Sequence, residues 1–238
     1  MKRINTFTWI AILTGLIVLL ISCSDNNPVN SEEEQEISSI TDIDGNIYDV
    51  IKIGDQYWTA NNLMTTRFSN GDEINHAVNK NGWSDNNDSR WAYYNYNSGM
   101  KNPNGYYYNW YTAADSRGLC PQGSRVPDYN DWKKLYDFTK GEADLLKSRN
   151  GWVDNLNGTD QFSFNGYPGG YKQAVKDGGE FGYMGRLADW WSSSEDDWAE
   201  SIDLPGKAGI GFRFYGDGSM AYMFTLKDTG RPIRCILN

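Results

Sequence analysis

Apolar and polar positions alternate in a β-branched context from Tyr48 to Ile53, and the pattern resumes at Gln56 after a Gly54-Asp55 pair. A period of two on either side of a tight turn predicts a β-hairpin. Aromatic residues crowd together further along, as they do in half-buried strands. The segments predicted as strands are 91–96, 105–111, 162–164, 190–194, 210–215, 221–226 and 233–237, with a hairpin turn at 216–219.

A helical period follows Pro127. Trp132, Leu135 and Tyr136 recur at the spacing of one helix face. Asp128 is placed to cap the first turn, and Asp131 adds negative charge near the positive end of the helix dipole. The pattern predicts a short amphipathic helix over residues 128–139 and shorter helical segments over 110–114 and 142–147.

Long loops connect these few elements. The chain has 25 glycines and many asparagines, which favour turns and ordered loops, and it contains no internal repeat. We therefore predict an α+β fold with small antiparallel sheets, one or two short helices and a large share of coil.

The N-terminus has the layout of a secretory signal: a basic pair at residues 2–3, an apolar run at 10–21, and a small residue before Cys23. Residues 20–23 resemble a bacterial lipobox. This resemblance implies that residues 1–22 are a removed signal peptide and that Cys23 carries the lipid that anchors the protein to the membrane. An uncleaved transmembrane anchor is the alternative, although spanning a bilayer needs roughly 20 apolar residues.

Residues 23–40 are predicted to be a disordered acidic tether. They contain four glutamates and no aromatic residue, so they cannot bury enough apolar surface to fold. The Ser24-Asp25 pair resembles the export signal of surface lipoproteins in Bacteroidetes-type bacteria, which implies an outer-membrane lipoprotein at the cell surface. Residues 41–238 are predicted to form a single domain.

The net charge argues against one class of partner. The formal charge is −9, and loss of Lys2 and Arg3 with the signal peptide makes it −11. So acidic a chain, with no basic cluster, repels phosphate backbones. We expect no nucleic-acid partner.

Two cysteines, Cys120 and Cys235, accompany Cys23 in the mature chain. In an exported protein they are most simply one disulfide, which would tie the first half of the domain to its last strand. Two buried free thiols are the alternative.

Residues for catalysis are scarce. His76 is the only histidine and no Cys-x-x-Cys occurs, so a His/Cys zinc site lacks ligands and Ser/His/Asp catalysis would depend on His76 alone. Glu195, Asp196 and Asp197 could form a glycosidase carboxylate pair by residue type only. We predict that the protein is not an enzyme and carries no catalytic metal or cofactor.

Tryptophan and tyrosine, with 10 and 16 residues, are abundant enough to suggest a binding surface. Four tryptophans in motifs with regular structure are predicted to be core: Trp58, Trp110, Trp132 and Trp191. Four nearer to loops are the candidates for ligand contact, although each is also a candidate core residue: Trp83, Trp91, Trp152 and Trp198. Asp196 and Asp197 are the polar candidates beside them.

Short motifs occur in this order along the chain: Ile51–Leu63, Tyr108–Tyr111, Leu119–Pro121, Arg125–Trp132, Pro168–Tyr171, Trp191–Glu195 and Arg234-Cys235. Together they resemble the Fibrobacter succinogenes major paralogous domain, a module of exported bacterial lipoproteins. The resemblance covers residues 41–238 and implies location and fold rather than an activity.

Arg125-Val126-Pro127, followed by Asp131-Trp132 and Leu135, also resembles a motif of the formylglycine-generating enzyme and C-type lectin-like superfamily. This distant likeness implies a C-type lectin-like fold, in which a helix packs beside a small antiparallel sheet and the last strand returns beside the first. A bridge between Cys120 and Cys235 would fit that closure, and bridged cysteines could not act as the reactive thiols of such an enzyme.

Calcium is the one metal with candidate ligands, since hard cations bind oxygen. Residues 85–88 and 195–197 are acidic loop segments, but neither has EF-hand spacing. The Glu-Pro-Asn triplet of sugar-binding C-type lectins is also absent. Solvated acidic loops are the alternative to a calcium site.

These observations predict a lipid-anchored cell-surface module that binds extracellular polysaccharide or glycan. The alternatives are a protein-binding module for adhesion or envelope assembly, and an enzyme of the related fold.

Overall fold

A computed structural model describes residues 38–83, 87–175, 179–195 and 208–238. The strands are β1 Ser39–Thr41, β2 Ile47–Ile53, β3 Gln56–Thr59, β4 Asn75–His76, β5 Arg90–Ala92, β6 Tyr107–Tyr108, β7 Ser124–Arg125, β8 Tyr171–Lys172, β9 Phe181–Gly182, β10 Leu187–Glu195, β11 Ala208–Tyr215, β12 Met220–Leu226 and β13 Ile236–Leu237. The α-helices are α1 Lys101–Asn104, α2 Trp110–Ala113 and α3 Tyr129–Thr139. Single 3-10 turns lie at Lys80–Gly82, Tyr94–Tyr96, Ser98–Met100, Ala143–Leu145 and Val153–Asn155.

The strands form small, mostly antiparallel sheets. One sheet has the order β1-β2-β3-β13-β7, a second β10-β11-β12, a third β4-β5-β6 and a fourth β8-β9. Only β4 and β5 among these paired strands run parallel. The predicted α+β class with small antiparallel sheets and short helices is confirmed. None of the helices in the described ranges is long and apolar enough to cross a membrane.

The predicted N-terminal hairpin is present as β2 and β3, with Ile53 opposite Gln56 across the Gly54-Asp55 turn. The last strand, β13, lies between β3 and β7, where Ile236 pairs with both Trp58 and Arg125. The C-terminus therefore closes the sheet that the hairpin begins.

A disulfide joins Cys120 to Cys235, whose Cα atoms are 5.9 Å apart. Both residues are buried in one hydrophobic cluster. The backbone N–H of Cys235 also donates to the Thr59 hydroxyl at 3.0 Å. The expected bridge thus ties the segment before β7 to the closing strand.

Helix α3 begins with the predicted cap. The Asp128 carboxylate accepts from the Asp131 N–H, and the Asp131 carboxylate accepts from the Asp128 N–H, which makes a capping box. Arg125 donates to both oxygens of Asp131, so the extended segment and the helix start are fixed together. Trp132 and Leu135 point from this helix into the core.

Aromatic rings form much of the core around helix α3. Trp132 lies 4.9 Å from Trp58 and from Phe212, measured between ring centroids, and Phe164 and Trp190 extend the cluster. The four tryptophans predicted as core are buried: Trp58, Trp110, Trp132 and Trp191.

Three predicted strands are shorter in the structure than the sequence pattern indicates, and segment 162–164 forms a turn instead of a strand. Segment 91–96 leaves β5 for a 3-10 turn in which Asn95 and Tyr96 have positive φ, and segment 105–111 pairs over only two residues before α2 begins. In segment 233–237, Arg234 turns inward and donates to the carbonyls of Thr59 and Phe164. Aromatic and basic side chains here fill the interior from irregular backbone, which the alternation rule does not anticipate.

Candidate functional site

A buried ion pair lies at the centre of the β10-β11-β12 sheet. Asp189 on β10 and Arg213 on β11 are directly opposite in the strand register. Arg213 donates to both carboxylate oxygens of Asp189, from Nε at 2.6 Å and from Nη2 at 2.7 Å. Such a two-point contact fixes the orientation of the guanidinium plane.

A second arginine, Arg231, approaches the same carboxylate. Its Nη1 lies 3.4 Å from Asp189 Oδ2, within ion-pair range, and the residue is 1 % exposed. Its Nε and Nη1 have no hydrogen-bond acceptor among the described residues. The guanidinium carbon lies 4.9 Å from the Trp191 ring centroid, so a cation–π contact supplies part of its stabilisation.

Gly211 makes room for this arginine. A Cβ at that position would collide with Nη1 of Arg231, and it would also crowd the Trp190 carbonyl. Only glycine therefore lets β11 pass close under the buried guanidinium.

The cluster of Asp189, Arg213 and Arg231 holds two positive charges against one negative charge. Burial lowers the pKa of Arg231, Asp189 raises it, and the neighbouring Arg213 lowers it further. For Arg213 burial is the largest single influence and acts to lower the pKa, but the hydrogen bonds and the charge of Asp189, with smaller contributions from Tyr215 and Tyr171, together raise it. The surplus of positive charge thus falls on the more deeply buried arginine.

A pair of stacked tyrosines lies beside the ion cluster. The Tyr171 and Tyr183 rings are parallel within 4°, with centroids 5.1 Å apart. The Arg213 guanidinium carbon is 4.9 Å from the Tyr171 centroid. Tyr183 is 46 % exposed. The three side chains form a row, Tyr183–Tyr171–Arg213, that runs from solvent to the buried charges.

Backbone pairing brings this row together. Gly170 bridges Ala188, and Lys172 bridges Gly230, so Tyr171 is placed between the residues that precede Asp189 and Arg231. Gly170 permits this approach, because a Cβ there would collide with the Gly182 carbonyl.

Tyr183 has an unusual backbone conformation. It follows β9 with φ of 64°, in the left-handed region that bulky residues seldom adopt. The N–H of Arg186 donates to its carbonyl at 3.0 Å and closes the turn into β10. Backbone strain of this kind is concentrated at functional positions.

Three of the tryptophans predicted to contact a ligand are interior residues. Trp83, Trp91 and Trp152 are each at most 5 % exposed. Trp91 is covered on its two faces by the stacked rings of His76 and Tyr106, at 3.9 and 4.5 Å. Of the two alternatives given for these three rings, the structure therefore shows the core position and not a solvent-facing one.

The other residues that the sequence marked for lipid attachment, ligand contact or catalysis lie partly outside the described ranges. Cys23, Asp196, Asp197 and Trp198 lie outside the described residues. Glu195 ends β10 and forms an ion pair with Lys227.

His76 is exposed and stacks on Trp91. Burial against that ring lowers its pKa. Among the residues the structure describes, its imidazole has no hydrogen bond to a carboxylate or hydroxyl.

Within the described ranges, no three His, Cys, Asp or Glu side chains converge as a metal-ligand group. Residues 85 and 86 of the first candidate calcium loop are outside those ranges. Asp88, at the end of that loop, lies 3.2 Å from the Arg90 guanidinium.

The sequence contained a signal for the ion cluster that its interpretation missed. Asp189 and Arg213 are charged residues inside strands whose neighbours are tryptophan and phenylalanine. A charge in such a strand needs a buried partner. Tyr171 was also marked in the sequence, because it belongs to Pro168–Tyr171, one of the short motifs that carry the family resemblance.

The fold and this cluster define a small α+β domain with a half-exposed aromatic pair over a buried, positively charged centre. The family model of the Fibrobacter succinogenes major domain matches residues 51–236, and the chain belongs to that family. No curated protein and no solved structure matches the chain.

Proposed function

We propose that the protein is a lipid-anchored binding module of the outer membrane, exposed at the cell surface, and that it holds an extracellular glycan on the Tyr183–Tyr171–Arg213 row. The exposed Tyr183 ring is the observation that carries the proposal. Flat aromatic rings with polar tips stack on sugar rings, and this ring is presented by the turn between β9 and β10.

The location rests on the N-terminal sequence. The lipobox-like residues 20–23, the acidic tether and the surface-export pattern after Cys23 support lipidation and outward display. Attachment through several acyl chains would hold the domain firmly at the membrane.

We also propose that the domain has the C-type lectin-like fold. Support comes from the capped helix α3 beside the small sheets, the closing strand β13 and the Cys120–Cys235 bridge. Lectin-like folds carry ligand sites on loops, but a fold alone does not determine the ligand.

Binding of the full-length protein in detergent to an immobilised polysaccharide and glycan array tests this function. Tyr183→Ala should weaken binding about tenfold or more, as expected for an exposed aromatic anchor. Tyr183→Phe keeps the ring and should bind nearly normally. Phe138→Ala, which removes an aromatic ring that is 48 % exposed on α3, is the matched control.

Three outcomes oppose the proposal. Equal losses for Tyr183→Ala and Phe138→Ala would mean that the row is not the site. Absence of any glycan binding, with or without calcium, would favour a protein partner. Turnover of a bound glycan would favour an enzyme of this fold.

A further inference from the structure

We propose that the glycan bound by the Tyr183–Tyr171–Arg213 row is acidic, and that a carboxylate of the sugar chain pairs with Arg213 beside the buried charge of Arg231. This inference rests on the proposed glycan-binding function and adds the chemical class of the ligand. It is carried by the imbalance between two arginines and one aspartate.

Arg231 is the independent sign of a missing anion. A buried charge is normally paired and fully hydrogen-bonded, because the interior solvates it poorly. Asp189 gives its two good hydrogen bonds to Arg213, and Nε and Nη1 of Arg231 have no acceptor among the described residues. An anion bound nearby would offset this unbalanced charge.

Arg213 provides the contact with the anion. Asp189 engages its Nε and Nη2, and Tyr171 beside it is a further side-chain hydrogen-bond partner of the guanidinium. The side chain keeps 8 % exposure, whereas Arg231 has 1 %. A carboxylate at the edge of Tyr171 would therefore contact Arg213, and the positive charge of Arg231 behind it would add to the attraction.

The geometry of the row favours a chain of sugars over a single one. Tyr183 and Tyr171 are 5.1 Å apart, and Tyr171 is 4.9 Å from the Arg213 guanidinium carbon. These steps are comparable to the length of one sugar residue. Because Tyr171 lies between Tyr183 and Arg213, a sugar packed on Tyr183 would not bring its own carboxylate to Arg213, and a neighbouring sugar that follows the edges of the two rings would have to supply it.

The acidity of the whole chain does not oppose this binding. Its formal charge of −9 is spread over the molecule, and physiological salt screens exposed charges beyond about 8 Å. Close to the row, three arginines face two aspartates: Arg213 and Arg231 lie on Asp189, and Arg186, exposed on the turn after Tyr183, is within 4.0 Å of Asp154.

A matched pair of ligands tests the inference with the unaltered protein. Uronic-acid polysaccharides would be arrayed in native form and after chemical reduction of their carboxyl groups, which leaves the corresponding neutral sugars. We expect binding to the native polymers that falls at least about tenfold on carboxyl reduction and weakens with added salt. Equal binding to both forms would overturn the acidic class of the ligand and leave the glycan-binding function standing. If the protein bound neither form and no neutral glycan either, both proposals would be overturned.

Arg231→Met isolates the buried charge. It replaces the guanidinium by an apolar chain of similar length and leaves Asp189 paired with Arg213, so stability should be unchanged or raised. Affinity for the native uronic-acid polymer should fall about tenfold, and that for the reduced polymer should not change. Lys134→Gln, which removes one exposed positive charge from α3, should alter neither. Unchanged affinity of a folded Arg231→Met protein would contradict the inference, and if this variant does not fold, the ligand pair decides.

Discussion

At the residue scale, burial of the loop tryptophans depends on partners that are remote in sequence. The indole N–H of Trp83 donates to the Asp228 carbonyl at 2.6 Å, and that of Trp152 to the Gly166 carbonyl at 3.2 Å. A satisfied indole N–H removes the main cost of burying this side chain. Loop position therefore does not make a tryptophan a surface residue in a fold whose irregular segments carry much of the core.

Lys172 gives a prediction for pH dependence at the same scale. Burial lowers its pKa to about 8, although Asp228 and Glu180 act to raise it, and its ammonium lies over the Trp83 ring. The unfolded chain keeps this proton up to a pH of about 10.5. Between these two pH values the unfolded state binds more protons than the folded state, so the free energy of unfolding increases as the pH rises.

Denaturant unfolding of wild type and Lys172→Met from pH 7.5 to 10 measures this effect. The stability of wild type relative to the variant should increase with pH, by up to about 3 kcal/mol. The comparison cancels other groups that titrate in this range. If the free energy of unfolding changed with pH in the same way for both proteins, Lys172 would keep its proton in the folded state.

At the element scale, helix α3 is an element that local sequence alone determines. Its start, cap and buried face were all predicted, because the capping box and the i, i+3, i+4 contacts involve residues within one or two turns. The strands around it were predicted less well. Short strands such as β6 and β13 exist through pairing with distant segments, and that pairing leaves no periodic pattern in two residues.

The cap makes a measurable contribution to stability. Asp128→Ala removes the acceptor for the Asp131 N–H and should lower the free energy of unfolding by about 1 kcal/mol. Asp128→Asn can still cap and should recover most of the loss. Equal destabilisation by the two substitutions in chemical denaturation would assign the effect to charge and not to capping.

At the scale of the whole molecule, the Cys120–Cys235 bridge closes a loop with a sequence separation of 115 residues. The hairpin, β13 and β7 meet at this closure, so the bridge and the five-stranded sheet constrain the same long segment. Restriction of the unfolded chain by so long a loop is the main expected source of stabilisation.

Cys120→Ala combined with Cys235→Ala should therefore reduce the free energy of unfolding by about 4 to 5 kcal/mol, as the chain-entropy model gives for a loop of this length. Urea unfolding of both proteins, with and without reductant, checks this value. Reductant should destabilise wild type and leave the double variant unchanged. A loss below about 1 kcal/mol would mean that the unfolded chain is little restricted by the bridge.

The family, the α+β class, the hairpin at β2-β3 and the capped helix α3 were determined by the sequence itself. Each depends on motifs or contacts between near neighbours, which a single chain displays directly. The bridge between Cys120 and Cys235 could also be anticipated, because a disulfide is the simplest role for the two cysteines other than Cys23 in a chain predicted to be exported.

Only the tertiary structure decided which aromatic rings are exposed and where charges meet. Asp189, Arg213 and Arg231 lie on separate segments and converge through strand register, a glycine without a side chain at position 211, and the bridges on either side of Tyr171. Burial and charge balance are sums over all neighbours in space. The stacked tyrosines and the unbalanced arginine beneath them are therefore properties of the folded molecule and not of any stretch of its sequence.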